Sequence, residues 1–333
     1  MSRLILTAVG GDPDQTVELD DDHDLTVGPD DVLVTIEAAP INPADQLFML
    51  GWFGVYPQVP NPVGAEGVGR VTAAGPAVDQ ALVGRRVIIL PTFVQGTWAD
   101  QVVVPARNVV PVTDQADPKQ LAMLPVNPAT AYALLNDYVT IQPGDWIGLG
   151  LANSGVGQNV IALAKRAGIK VLAIVRRDDA AKQATALGAD RVVIDGEHLG
   201  ARIADALDGA KLRVLFDGGA PGLDALAPHI ASGGTVVTFS SVTGAPPTVP
   251  LADLIYRGIS LRAFYILNWV QTTPREKLER VYGELADLVA QGVLGTEVEA
   301  TYPLTQYREA LAHAGQQQRT GKILFVPGQE QRA

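Results

Sequence analysis

Between Asp145 and Arg177 the chain reads as a strand, a turn of small residues, a helix and a second strand. No other stretch restricts the fold as much. Asp145-Trp146-Ile147-Gly148-Leu149-Gly150-Leu151 is a short apolar run of the kind that a buried parallel strand requires. Ala152-Asn153-Ser154-Gly155-Val156-Gly157 follows, and then Val160, Ile161, Leu163, Ala164 and Ala167 recur at helical spacing. Gly168 stops that helix, and Lys170 to Val175 supplies the next strand. A βαβ unit with such a turn is the phosphate-binding part of a dinucleotide fold. Ala152 and Ser154 stand where the first two glycines of the strict G-x-G-x-x-G pattern would be. Small side chains here let a pyrophosphate approach the free amides and positive dipole end of the helix, and Gly157 lets the helix pack close to the sheet. Asn153, Ser154, Gly155, Val156 and Gly157 are therefore the expected cofactor-contacting residues.

The end of the second strand selects the cofactor. Forms that bind NAD carry an Asp or Glu there, roughly 20 residues after the glycines, which bonds the ribose 2′-hydroxyl. This chain has Arg176 and Arg177 instead. Guanidinium groups pair with a 2′-phosphate, so the expected cofactor is NADPH. Asp178 and Asp179 come next and are the competing partners for the two arginines.

The βα alternation continues beyond that unit. Helix is expected over 178–187 and 223–230, and strands over 191–194, 212–217, 234–239 and 259–262, giving a doubly wound sheet of six parallel strands. Residues 1–125 read instead as short strands between Gly and Pro turns, the pattern of a partly open β-barrel. Pro40, Pro43, Pro57, Pro60 and Pro62 mark a loop-rich stretch within it. A long helix from Glu276 to about Gly292 and a strand over 322–326 are expected to return to this first domain. The expected division is 1–125 with 270–333, and 126–269.

Composition narrows the partners. A net charge of −11 argues against nucleic acid and anionic membrane surfaces, and no apolar run reaches the length of a membrane-spanning helix. A soluble cytoplasmic protein acting on a small molecule is expected. With no cysteine, neither disulfides nor a zinc site that needs thiolates can form. The four histidines, His23, His198, His229 and His313, lack metal-ligand spacing and read as surface residues. No metal is expected.

Ile41-Asn42-Pro43-Ala44-Asp45, Gly64-Ala65-Glu66-Gly67, Asn127-Pro128-Ala129-Thr130-Ala131-Tyr132 and Asn153-Ser154-Gly155-Val156-Gly157-Gln158 occur in that order across the chain. Together they resemble the medium-chain dehydrogenase/reductase superfamily, in its zinc-independent branch, and within it the 2-enoyl thioester reductases and quinone oxidoreductases. Ala65 stands where zinc-dependent members carry a histidine ligand. The resemblance implies a GroES-like partly open barrel joined to a Rossmann domain, and NADPH-dependent reduction of an activated C=C bond. Hydride would add at the β carbon and a proton at the α carbon. Asn42 would order the nicotinamide side of the cleft and Thr130 would line it. Phe264 and Tyr265 would lie in a loop covering the nicotinamide, with Trp52, Phe53 and Trp269 at the substrate; simple core packing is the other reading of the aromatic cluster over 264–269. Lys322 matches a basic residue near the cofactor, its other reading being a solvated strand lysine. A homodimer through the last Rossmann strand is likewise implied.

One position departs from the pattern. The tyrosine acid of the thioester reductases falls on Phe53, which has no proton to give, leaving Tyr56 or water as the donor. Quinone reduction, which needs no dedicated acid, and a binding role for NADPH with little turnover stand as alternatives.

Overall fold

In the computed structural model, residues 1–219, 223–240, 244, 246–316 and 319–328 are described. The chain divides into two compact units, Met1–Val126 with Val270–Ala333, and Asn127–Trp269.

The second unit is built on a six-stranded sheet, all of whose neighbouring strands run parallel. Across the sheet the strands are Arg191–Ile194, Lys170–Val175, Trp146–Gly150, Leu212–Asp217, Ile230–Thr238 and Ser260–Ala263. The order reverses between Trp146–Gly150 and Leu212–Asp217, which opens a crevice at their carboxyl ends, where open α/β sheets take their ligands. Leu172, Ile174, Leu212, Leu215 and Val236 pack with helix residues into one core. Apolar runs that formed no alternating pattern thus became central strands, covered on both faces.

This unit differs from expectation at four places. Helix Leu199–Leu207 is absent from the sequence reading, although Leu199, Ile203 and Leu207 form its buried stripe. The helix expected over 223–230 ends at Leu226 and tightens into a 3₁₀ turn, Ala227–His229, because Pro228 has no amide hydrogen to continue it. The strand after it begins at Ile230 rather than Gly234. The segment expected to be a loop after the sheet turns helical at Ile266 and continues to Thr272.

In the first unit the central strand is Asp31–Pro40, whose side chains alternate in burial. It pairs antiparallel with Gly67–Ala74, Gln101–Pro105 and, at its far end, Lys322–Phe325 from the C-terminal segment. That last strand continues the sheet to Val298–Tyr302. A separate three-stranded sheet joins Val17–Asp20, Arg3–Leu6 and Asn61–Pro62. The core holds Leu4, Ile36, Trp98 and Phe325, the last two with ring centroids 5.3 Å apart.

The loop-rich stretch contains an unforeseen helix, Pro43–Met49. Proline at the first helical position costs nothing, because that N–H has no partner in any helix, and Asp45 turns back to accept the Asn42 N–H at 2.8 Å. Among the described residues no helix is long and apolar enough to cross a membrane.

The histidines are not uniformly at the surface: His198 is exposed, but His23, His229 and His313 are half-buried. His313 bridges Tyr302, at 2.9 Å, and Glu299, at 3.0 Å. Glu299 also accepts the N–H groups of Gly321, at 2.9 Å, and Thr320, at 2.7 Å. These bonds, with the Gly321 N–H the largest cause, hold its carboxyl down at about 2, against an ordinary 4.5. A depressed carboxylate stabilises the fold above its unfolded value, and the contribution disappears as pH falls through the folded one. The stability gap between wild type and Glu299→Gln is accordingly expected to be full above pH 4.5 and to close on approach to pH 2. Denaturant melts of both proteins across that range check it; a gap that does not change with pH would reject the assignment.

Candidate active site

In the second unit the turn after strand Trp146–Gly150 is held by its own side chains. Leu151 adopts a left-handed conformation (φ 49°) that turns the backbone out of the sheet. Ser154 is the N-cap of helix Gly155–Arg166 and accepts the Gly157 N–H at 3.0 Å. Gln158, the last residue of the Asn-Ser-Gly-Val-Gly-Gln run, donates its amide to the Asn153 carbonyl at 2.9 Å. A Cβ on Gly157 would lie 2.5 Å from the Ala152 carbonyl oxygen, so only glycine lets the helix start this close to the turn. Asn153, Ser154, Gly155 and Val156 remain half-exposed beside first-turn amides that have no helical acceptor. An anion of pyrophosphate type fits this arrangement.

The two arginines at the end of strand Lys170–Val175 differ in their surroundings. Arg177 pairs with Asp179 at 3.3 Å. Arg176 is exposed and makes no ion pair among the described residues. Thr130 is buried on helix Asn127–Asn136. The aromatic cluster packs largely within its own unit: Phe264 is buried with its ring edge-on to Tyr138 at 5.7 Å, and the Trp269 indole N–H donates to Asp137 at 2.7 Å. Tyr265 is left half-exposed.

The first unit holds a buried polar group that sequence reasoning found only in part. Asn42 and Glu66 are 3% and 0% exposed. The Asn42 side-chain N–H₂ donates to Glu66 Oε1 at 2.8 Å, and its Oδ1 accepts from Lys322 Nζ at 2.6 Å. Glu66 Oε2 accepts the Val126 N–H at 2.8 Å. Asp45, also buried, accepts the N–H groups of Asn42 and Ala65. Burial pushes both carboxyls upward, against the hydrogen bonds to each and the nearby Lys322 charge. Burial likewise pushes the Lys322 ammonium below its ordinary value, with Glu66 opposing the shift. Lys322 is half-buried, with its ammonium held by Asn42 rather than standing free in solvent. Glu66 and Asp45 carried no candidate role in the sequence, because nothing local distinguishes a buried Glu from a surface one.

Asn42 and Lys322 are thus brought together, but the expected acid and cleft residues of this unit are spread apart. Phe53 packs its ring on Phe93 at 4.8 Å, which in turn contacts Phe48 at 4.9 Å. Tyr56 and Trp52 are 64% and 74% exposed. Tyr56 lies beside Gly51 and makes no hydrogen bond with the Asn42 group.

The donors do not suit a catalytic zinc. Cysteine is absent from the chain, Ala65 occupies the position of a histidine ligand, and both Glu66 oxygens already have partners. Among the described residues no three of His, Asp and Glu stand close enough to hold a metal ion.

Two family models match, the alcohol dehydrogenase GroES-like domain over residues 28–114 and the zinc-binding dehydrogenase over residues 155–284. The mitochondrial enoyl-[acyl-carrier-protein] reductase of Rattus norvegicus is 33% identical over 93% of this chain and 84% of its own length. That of Dictyostelium discoideum is 30% identical over 97% and 94%. A quinone oxidoreductase structure from Pseudomonas syringae superposes with a TM-score of 0.86 at 29% identity, covering 98% of this chain and 99% of that one. An Escherichia coli quinone oxidoreductase complexed with NADPH superposes at 0.87 with 24% identity, covering 98% and 100%, and at that identity it supports the fold alone.

Proposed function

The chain belongs to the medium-chain dehydrogenase/reductase family, among its enoyl reductase and quinone oxidoreductase-like members, and from that premise we propose that it is an NADPH-dependent reductase of activated C=C bonds. Enones, enals and 2-enoyl thioesters are the acceptor class. The observation that carries the cofactor assignment is Arg176, exposed and without an ion pair among the described residues, in the unit whose Ser154 caps a helix N-terminus. A guanidinium with no ion-pair partner among the described residues is available to a 2′-phosphate, whereas Arg177 is already engaged by Asp179. Asn153, Ser154, Gly155 and Val156 would hold the pyrophosphate, and the bound cofactor would supply a hydride to the β carbon. Asn42, Thr130, Tyr265 and Lys322 are the proposed nicotinamide-side residues, and Trp52 and Phe53 line the acceptor's approach. No metal takes part in this reading, which the unsuited donor set supports.

The proton for the α carbon has two candidate sources, Tyr56 and water. Tyr56 is well exposed, so an acceptor can reach its hydroxyl. Phe53, whose ring carries no hydroxyl to give a proton and lies tilted against Phe93, favours a second reading in which the acceptor is a quinone that takes its protons from solvent. The protein is proposed to act in the cytoplasm as a homodimer. Among the described residues strand Ser260–Ala263 has a neighbour on one side only and is exposed along its length, with Leu251, Ile255, Tyr256 and Leu261 exposed near it in sequence.

Replacing Arg176 with Asp is expected to weaken NADPH more than about tenfold and to favour NADH, since a charge-assisted contact contributes about 1.5–3 kcal/mol. Titration of both cofactors checks this, and an unchanged preference would reject the 2′-phosphate assignment. Turnover is read by NADPH oxidation over a panel of enones, 2-enoyl thioesters and quinones. The wild type is expected to reduce the first two classes, with Tyr56→Phe lowering kcat by roughly 10²-fold. An unaltered kcat in Tyr56→Phe assigns the proton to water, and activity with quinones alone favours the second reading.

A further inference from the structure

Burying a carboxylate is unfavourable unless hydrogen bonds and an opposite charge compensate it, and an apolar side chain of the same volume would fill the space without that cost. Glu66 is wholly buried all the same. Its two oxygens bind the Asn42 side chain and the Val126 N–H, both at 2.8 Å. On the far side of the Asn42 amide, Lys322 Nζ donates to Oδ1 at 2.6 Å. A carboxylate only accepts and an ammonium only donates, so these two partners fix which end of the amide is oxygen. The result is an ordered row of cation, amide and anion drawn from positions 322, 42 and 66.

The other charged and titratable groups facing the row are few. Asp45 is turned toward the backbone N–H groups of Asn42 and Ala65, Arg319 lies on the Lys322 side, and the Tyr282 hydroxyl, near Glu66, donates to the Pro125 carbonyl. Asp45 spends its oxygens on the start of helix Pro43–Met49, which leaves Glu66 as the anion that acts on the amide.

We infer that Glu66 is a positioning residue for the reduction site: through the amide of Asn42 it holds the Lys322 ammonium in one place, where that cation offsets the negative charge an acceptor carbonyl gains on reduction. The inference rests on the reading given under Proposed function. Glu66 itself touches neither cofactor nor acceptor in this scheme. Its removal leaves Lys322 with burial and the Arg319 charge opposed only by the weaker pull of Asp45, so the ammonium gives up its proton more readily.

The test uses full-length protein with 13C-labelled lysine. The Lys322 resonance, assigned by its loss in Lys322→Met, is followed against pH in wild type and Glu66→Gln. The expected result is a titration shifted downward by about one pH unit or more, the usual effect of losing an opposite charge at close range. In parallel, Glu66→Gln is expected to keep NADPH affinity within about threefold while kcat falls about tenfold and its alkaline limb moves to lower pH, as the loss of one transition-state contact requires. A folded Glu66→Gln protein with an unmoved Lys322 titration, or with wild-type kcat and pH profile, would overturn the inference. If Glu66→Gln does not fold, Asn42→Ala replaces it; removing the acceptor of the ammonium is expected to shift the Lys322 titration the same way, and no shift counts against the inference. A wild type that reduces no acceptor refutes the proposed function, while the lysine titration still decides whether Glu66 governs Lys322.

Discussion

The first unit is closed by the pairing of strand Lys322–Phe325 with the end of strand Asp31–Pro40, two segments from opposite ends of the chain. Ile41 extends the contact by donating to the Ile323 carbonyl at 2.9 Å. This junction fixes the residues on either side of it. Asn42 follows Ile41, Lys322 precedes Ile323, and their side chains meet at 2.6 Å. Phe325, two residues beyond Ile323, is fully buried against Trp98, so the register that brings Lys322 to Asn42 is also the register that completes the core. A one-residue slip would turn Phe325 to the opposite face and separate the ammonium from the amide.

In the second unit the corresponding constraint is steric. The helix after strand Trp146–Gly150 must begin close to the turn for its first amides to be reachable by an anion, and Gly157 makes that approach possible. Ser154 and Gln158 then tie the turn down from inside, and residues 153–156, the proposed pyrophosphate contacts, stay half-exposed. The proposed binding surface and the fold thus depend on the same few atoms, and a Cβ at Gly157 would disturb both.

Much of this was legible in the sequence. A buried parallel sheet demands continuous apolar runs, and those runs announced the second unit and its six strands, though not their order across the sheet. Local boundaries were less clear: Pro43 looked like punctuation, although Asn42-Pro43-Ala44-Asp45 carries the signs of a helix start. The aromatic residues over 264–269 fitted both a cofactor cover and a packed core, and the side chains of Phe264 and Trp269 lie inside their own unit. Glu66 was beyond reach for a different reason. Its partners are 24 and 60 positions away, and the lysine that completes the row is 280 positions from Asn42. Long-range pairing of this kind leaves no periodicity to read.

Reduction of an activated double bond is the central proposal, and the fate of one hydrogen tests it most directly. NADPH carrying deuterium at C4 of the nicotinamide, on the transferred face, is incubated with the protein and an enone, and the product is examined by mass spectrometry and NMR. The account predicts a saturated ketone with one deuterium at the β carbon and a hydrogen from solvent at the α carbon. Deuterium at the carbonyl carbon, or consumption of cofactor without labelled product, would contradict it.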